Sequence, residues 1–257
     1  MRPFDSVLVW FGLLFIACQP SSLQETSPSI ALKVNYTDSI TTDPRIAHYV
    51  CDPTKVNIKF YWEGKNDRPY GNIGQLKESL EASGESLLFA MNGGMYHPGQ
   101  IPAGLYVEDG VELYPMNETE KAPGNLFLQP NGVFFITEDQ EAVVVSRYQF
   151  EDPGNIQYAT QSGPMLLIDG AYHPKFNRNS TSLNLRNGVG ILPDGKVLFA
   201  LSEEQINFYD FATFFKENGC QNALYLDGFV SKAYMPEQGI EQFTGQLGVL
   251  IGVTATN

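Results

Sequence analysis

Basic residues are scarce in this chain. Sixteen Lys and Arg stand against 29 Asp and Glu, for a formal net charge of −13 over 257 residues. So acidic a chain argues against a nucleic-acid partner, which needs a basic face, and it disfavours adsorption to anionic lipid. Cysteine and histidine occur three times each. None of them has the spacing of metal ligands, so no metal and no cofactor is assigned. There is no Gly-X-Ser-X-Gly elbow, Walker motif, zincin helix or dinucleotide fingerprint, and no repeat of fixed period. The apolar run at residues 7–17 is too short for a stable membrane span. With 43% hydrophobic and only 18% charged residues, the chain can bury a substantial core. No break in composition marks a second domain.

The N-terminus reads as a targeting segment. Arg2 precedes the apolar run, which ends in Phe15-Ile16-Ala17-Cys18. This resembles the lipobox of bacterial lipoproteins and implies a signal peptide over residues 1–17 with lipid on Cys18. Phe15 stands where leucine is usual, and Asp5 weakens the positive leader. Residues 18–29 are rich in Ser, Pro and Gln and read as a tether, leaving residues 30–257 as the folded domain. The expected location is the cell envelope, facing the periplasm, with the lipid anchor as the chain's membrane attachment. Two cysteines then remain, Cys51 and Cys220. In an oxidising compartment they suit a disulfide; buried free thiols are the alternative.

Along the domain, residues 30–38 and 56–62 alternate as strands do. A helix is expected over residues 73–82, with Asn72 as N-cap and Gly84 as stop. Residues 87–91 form an apolar strand that runs into Asn92-Gly93-Gly94. Three hairpins follow from their turn chemistry, around Asp109-Gly110, Glu138 to Gln140 and Pro193-Asp194-Gly195. Further strands are expected at residues 165–168, 223–226 and 247–253. A second helix over residues 207–218 spaces Phe208, Phe211, Phe214 and Phe215 as a core face. Two helices against many hairpin strands make an α+β single domain on mixed or antiparallel sheet.

Four polar, glycine-rich segments sit directly beside apolar strands: Asn92-Gly93-Gly94, Ser162-Gly163-Pro164, Asn187-Gly188 and Asp227-Gly228. Each alone is a turn. Gathered at one sheet edge they make a pocket whose backbone N–H groups face an anion. Arg186 lies beside the third and offers paired hydrogen bonds to a phosphate. Asp227 ends a buried strand, and Glu203, after the strand before the second helix, is a candidate second carboxylate. His97 and His173 each sit in a Tyr-His-Pro triplet and read as loop packing.

Taken in order, AMNGGMY (residues 90–96), SGPMLLIDG (162–170), LRNGVGI (185–191) and ALYLDG (223–228) resemble the phosphodiester glycosidase family. The resemblance runs from about residue 87 to the C-terminus. It implies a pocket built from Asn92, Gly93, Gly94, Tyr96, Gly163, Pro164, Arg186, Gly190, Asp227, Gly228 and Ser231. Family members carry further glycines after the Leu-Asp-Gly element, where this chain has Phe229 and Val230 before Ser231 and Lys232. That departure fits a bacterial envelope member.

The resemblance also implies a chemistry. A sugar-1-phosphodiester, free or in a glycan, would be hydrolysed at its glycosidic bond, with Asp227 as nucleophile or base, Glu203 as second carboxylate, and Arg186 with the residue 92–94 backbone on the phosphate. Two alternatives stand beside it: a non-catalytic envelope lipoprotein that binds glycan or polymer, and a phosphodiesterase that cleaves the P–O bond.

Overall fold

The computed structural model describes residues 40–64, 67–227 and 230–255. The expected leader, Cys18, the tether and the strand at 30–38 lie outside the described residues, as do Gly228 and Phe229. The chain opens with β1 (Ile46–Cys51), β2 (Val56–Tyr61), α1 (Ile73–Ala82) and β3 (Leu87–Asn92), then the short pair β4 (Tyr96–His97) and β5 (Ile101–Pro102). Next come the hairpin β6 (Tyr106–Glu108) and β7 (Val111–Tyr114), the hairpin β8 (Gly132–Thr137) and β9 (Ala142–Ser146), then β10 (Ile156–Ser162), β11 (Met165–Ile168) and β12 (Ala171–Tyr172). The last part holds β13 (Asn187–Ile191), β14 (Val197–Ser202), α2 (Phe208–Glu217), β15 (Ala223–Asp227), β16 (Ala233–Met235), β17 (Ile240–Glu241) and β18 (Leu250–Ala255).

Three large sheets result, in the orders β1-β14-β13-β15-β11-β12, β7-β6-β10-β8-β9 and β17-β16-β3-β18-β2. Every strand pairing among the described residues is antiparallel. All three sheets turn one face to a shared core that includes Tyr49, Phe60, Phe89, Phe134, Phe199 and Leu226. This is the α+β single domain expected from the hairpin pattern.

The two helices cover outer faces. Asn72 caps α1 by accepting from the Gln75 N–H at 2.9 Å, and Ile73, Leu76 and Leu80 bury against the β3 sheet. Asn207 caps α2 through the Asp210 N–H at 2.8 Å, and Phe211, Phe214 and Phe215 bury against the six-stranded sheet. Each such aromatic contributes roughly 1.5–3 kcal/mol by leaving water. Phe208 departs from the expected core face: it is only half-buried.

Strands β14 and β15 read as unbroken apolar runs because both their faces are covered. Phe199 and Leu224 point into the shared core, while Leu198 and Tyr225 lie beneath α2. On β13 the helix approaches so closely that a Cβ on Gly190 would sit 2.8 Å from both the Phe215 ring and the Cys220 sulfur. Gly190 is therefore a packing glycine under α2, a correction to its expected place in the pocket.

Of the two readings of the cysteines, the structure has the free thiols. Cys51 and Cys220 are buried free thiols. Cys51 faces the shared core and Cys220 the layer beneath α2. Strands β1 and β15 are three ladder steps apart, roughly 14 Å, against about 4.4–6.8 Å between the Cα atoms of a disulfide. Burial pushes both thiols up, that of Cys220 to about 12.

Candidate functional site

Three strand ends meet at one place. Asn187 opens β13 directly opposite Asp227, which closes β15, and Asn92 closes β3 of the neighbouring sheet. The fully buried Asn187 amide joins them. Its Nδ2 donates to the Asn92 carbonyl at 2.7 Å and to Asn92 Oδ1 at 3.2 Å, while its Oδ1 accepts from the Asp227 N–H at 2.8 Å. Asn92 Oδ1 also accepts from the Lys232 N–H at 2.8 Å. These two donors fix the orientation of the Asn92 amide and leave its buried Nδ2 with no partner among the described residues. An unpaired donor inside a protein costs about 1–3 kcal/mol.

Asp227 is held by its backbone on both sides. Its carbonyl accepts from the Ser231 hydroxyl at 2.7 Å, and the preceding Leu226 carbonyl accepts from Ser162 Oγ. The residue keeps 8% of its exposure, which sets it at the rim of the buried layer. Tyr96 is half-buried nearby. Burial first, and then the negative charge of Asp227, push its phenol above the usual range. Its hydroxyl donates to the Gln246 carbonyl at 2.5 Å, and its ring stands against Gly248, where a Cβ would come 2.9 Å from the ring.

Arg186 has 1% exposure and no ion pair with a carboxylate among the described residues. Its guanidinium lies 3.5 Å from the centre of the Phe208 ring and 5.6 Å from that of Tyr225. Nε donates to the Ile206 carbonyl at 2.7 Å and Nη2 to the Ser182 carbonyl at 3.0 Å. Burial pushes its pKa down, yet guanidinium remains charged at neutral pH. The Tyr225 phenol feels both charges: burial and Asp227 raise it, and Arg186 opposes them. The expected fork of paired hydrogen bonds is thus partly engaged elsewhere, and Arg186 brings an unneutralised positive charge instead.

The glycine motifs divide. Asn92 N–H bonds to the Lys232 carbonyl at 3.4 Å and Gly93 N–H to the Val249 carbonyl at 2.8 Å, so neither faces an anion as expected. A Cβ on Gly93 would lie 2.5 Å from Ile251, and one on Gly94 would lie 2.6 Å from the Thr160 hydroxyl. Gly163 packs on Asn131, and the Pro164 carbonyl accepts from the Tyr225 N–H at 3.1 Å, which ties this motif to β15. Glu203 lies at the same end of the sheet but is exposed, its N–H bound to the Arg45 carbonyl at 2.8 Å. Gly228 lies outside the described residues. Val230 packs against the α1 cluster.

His173 is buried and works as loop packing. Its Nδ1 accepts from the Lys175 N–H, its Nε2 donates to the Gln129 carbonyl at 3.0 Å, and its ring stacks on Phe176. His97 is exposed on β4. Among the described residues no group of three or more His, Cys, Asp or Glu side chains is placed to hold a metal ion, and no helix is long and apolar enough to cross a membrane.

The site therefore unites Asn92, Tyr96, Ser162, Asn187, Asp227 and Ser231. Asn187 was legible only as part of a turn motif, because its partners come from distant segments.

A family model described as phosphodiester glycosidase matches residues 85–248. The uncharacterized protein YigE of Escherichia coli (strain K12) is 36% identical over 201 residues, which span 77% of this chain and 78% of that protein. Among solved structures, the catalytic domain of zebrafish N-acetylglucosamine-1-phosphodiester alpha-N-acetylglucosaminidase, auto-inhibited by its pro-peptide, aligns with a TM-score of 0.53 at 14% identity, covering 84% of this chain and 85% of that one. A hypothetical protein from Synechocystis aligns with a TM-score of 0.52 at 11% identity, covering 82% of this chain and 59% of that one. At such identities the likeness to solved structures is one of fold.

Proposed function

Because the chain belongs to the phosphodiester glycosidase family, we propose that it hydrolyses the glycosidic bond of a sugar-1-phosphodiester in the bacterial cell envelope. The observation that carries this reading is the buried clasp on Asp227, whose N–H is bound by Asn187 and whose carbonyl is bound by Ser231. The clasp fixes the backbone from which the carboxylate projects at the strand end, which favours one position of the reacting carbon.

In the reaction, the bond from the anomeric carbon to the phosphate oxygen breaks, and its electron pair leaves with the phosphomonoester. Asp227 either takes a proton from the attacking water or first adds to the anomeric carbon, forming an ester that water then hydrolyses. The leaving group is already a weak base and needs charge stabilisation more than protonation. One carboxylate on a clasped backbone therefore suffices, and the exposed Glu203 is a secondary candidate. Arg186, buried without a carboxylate partner among the described residues, lends its charge to the departing phosphate across a medium of low polarity. Export and the lipid on Cys18 belong to the same proposal and rest on the leader sequence.

Hydrolysis in oxygen-18 water tests the reading, with a panel of sugar-1-phosphodiesters as substrates. Label in the sugar is the expected result. Label in the phosphate would make the protein a phosphodiesterase. Saturable binding without release of phosphomonoester would make it a binding module.

A further inference from the structure

A cleft of about 430 Å³, joined to Tyr96 through Gln246, is lined by Tyr70, Asn72, Gln75, Gln100 and Gln246, with Pro69 and three glycines completing its walls. A second cleft of about 390 Å³ shares Pro69, Tyr70 and Gln75 with it. Both fall within the roughly 300–1,000 Å³ usual for small-molecule sites. In a chain of net charge −13, the described residues that line the first cleft include no carboxylate and no cationic side chain. Its lining carries four side-chain amides and a phenol; Asn72 Oδ1 is engaged as the α1 cap and Gln100 Nε2 by the Leu247 carbonyl, and their other amide atoms remain. Amides present both donors and acceptors without charge, which suits the hydroxyl and acetamido groups of sugars rather than an anion.

Tyr70 is the flat element of this surface and is half-exposed. It is braced from several sides. A Cβ on Gly64 would lie 3.0 Å from its ring, Tyr61 meets it edge-on with centroids 6.2 Å apart, and its N–H bonds to the Trp62 carbonyl at 2.9 Å. A ring held in this way gives a sugar face a large apolar contact at little loss of side-chain freedom. The same wall reaches the candidate site. Gln246 accepts the hydroxyl of Tyr96, the Leu247 N–H bonds to the Gly71 carbonyl at 2.8 Å, and Gln100 Nε2 donates to the Leu247 carbonyl at 2.8 Å. Tyr96 in turn feels the charge of Asp227.

We propose that this cleft binds neutral sugar residues of a glycan chain that continues from the bond attacked at Asp227. The substrate is then a sugar-phosphate linkage within or at the end of an oligosaccharide, not a free sugar-phosphate ester. The direction of the chain towards Asp227 rests on the hydrolase reading; the binding of glycan does not.

Titration calorimetry on the full chain bearing Asp227→Asn tests it, with chitohexaose, cellohexaose and maltohexaose as probes beside N-acetylglucosamine and glucose. At least one hexasaccharide is expected to bind at least about tenfold tighter than its monosaccharide. Tyr70→Ala should weaken that binding at least about tenfold, and so should Gln75→Arg on the exposed face of α1, where the fold does not depend on the side chain. If no hexasaccharide binds, or if Gln75→Arg leaves the binding unchanged, the proposal is overturned. Glycan binding by a protein that releases no phosphomonoester would remove the hydrolase reading and keep this one. Turnover of small phosphodiesters without hexasaccharide binding would do the reverse.

Discussion

Asn187 Nδ2 lies 2.7 Å from the carbonyl oxygen and 3.2 Å from the Oδ1 of Asn92, so one buried amide locks the end of β3 to the start of β13. Its other end holds the Asp227 N–H. Asn187→Ala removes these three bonds and a longer one from the Ser231 hydroxyl, and leaves two backbone groups without partners in a dry site. A loss of about 2–5 kcal/mol in stability is expected, since each orphaned group costs about 1–3 kcal/mol. Asn187→Asp keeps an acceptor for Asp227 but sets a carboxylate against the oxygens of Asn92, and it should destabilise at least as much. Urea denaturation reads both. Wild-type midpoints in either variant would show that the clasp does not hold these strand ends together.

Arg186 separates two roles that a guanidinium can play. If its charge supports the leaving phosphate, Arg186→Lys should retain more activity than Arg186→Gln, which should lose at least about 100-fold in kcat/KM. If it only pins the chain through Ile206, Ser182 and the Phe208 ring, the two variants should lose activity alike and in step with stability. Measuring kcat/KM and melting temperature on the same preparations separates the cases. Equal losses would remove Arg186 from the chemistry.

Stability should depend on pH through two buried groups of opposite sign. Burial, with Asp109 and Glu63 adding negative charge, raises Glu108 from 4.5 to about 6, against hydrogen bonds from Tyr106 and the Trp62 N–H. The fold therefore favours its protonated form, and this group's contribution falls by about 2 kcal/mol as pH rises from 4.5 through 6. Burial, with Lys175 nearby, lowers His173 from 6.5 to about 4. The fold favours its neutral form, and about 3 kcal/mol is lost as pH falls from 6.5 through 4. In the shared window the two slopes oppose each other. Glu108→Gln should thus gain on wild type by about 2 kcal/mol between pH 4.5 and 6, while His173→Asn gains on it in the acid direction. Denaturation curves across that range check both, and a constant gap at all pH values would refute the assignment for that residue.

Much of the fold was legible because its signals are local. Asn72 and Asn207 cap their helices within three residues of themselves, and Asp109-Gly110 closes its own hairpin. The strand β1 is not legible in the sequence, because five of its six residues are buried and it has no alternation to read. The site was legible in its chemistry but not in its wiring. Asp227 and Arg186 stand out as a carboxylate and a cation beside glycines. That Asn187 would hold Asn92, 95 positions away, depends on which sheets meet. Gly190 looked like a pocket glycine and serves α2, because a close helix and a close ligand make the same demand on a residue without a Cβ.

Gly93 allows the same distinction to be drawn by experiment. A Cβ there would lie 2.5 Å and 2.9 Å from the Cγ1 and Cδ1 of Ile251, whose strand β18 pairs with β3 at this level. Its N–H is engaged by Val249, so Gly93 acts through packing between two strands rather than by cradling an anion. Gly93→Ala should therefore destabilise by about 1–3 kcal/mol, as overpacked cores do. Ile251→Ala removes both clashing atoms and leaves a cavity of its own. The double variant should then be more stable than the sum of the single losses predicts, with a coupling of about 0.5–3 kcal/mol. Chemical denaturation of the four proteins in the cycle measures that coupling. Full stability of Gly93→Ala, together with a defect in its activity, would return Gly93 to the substrate side of the site.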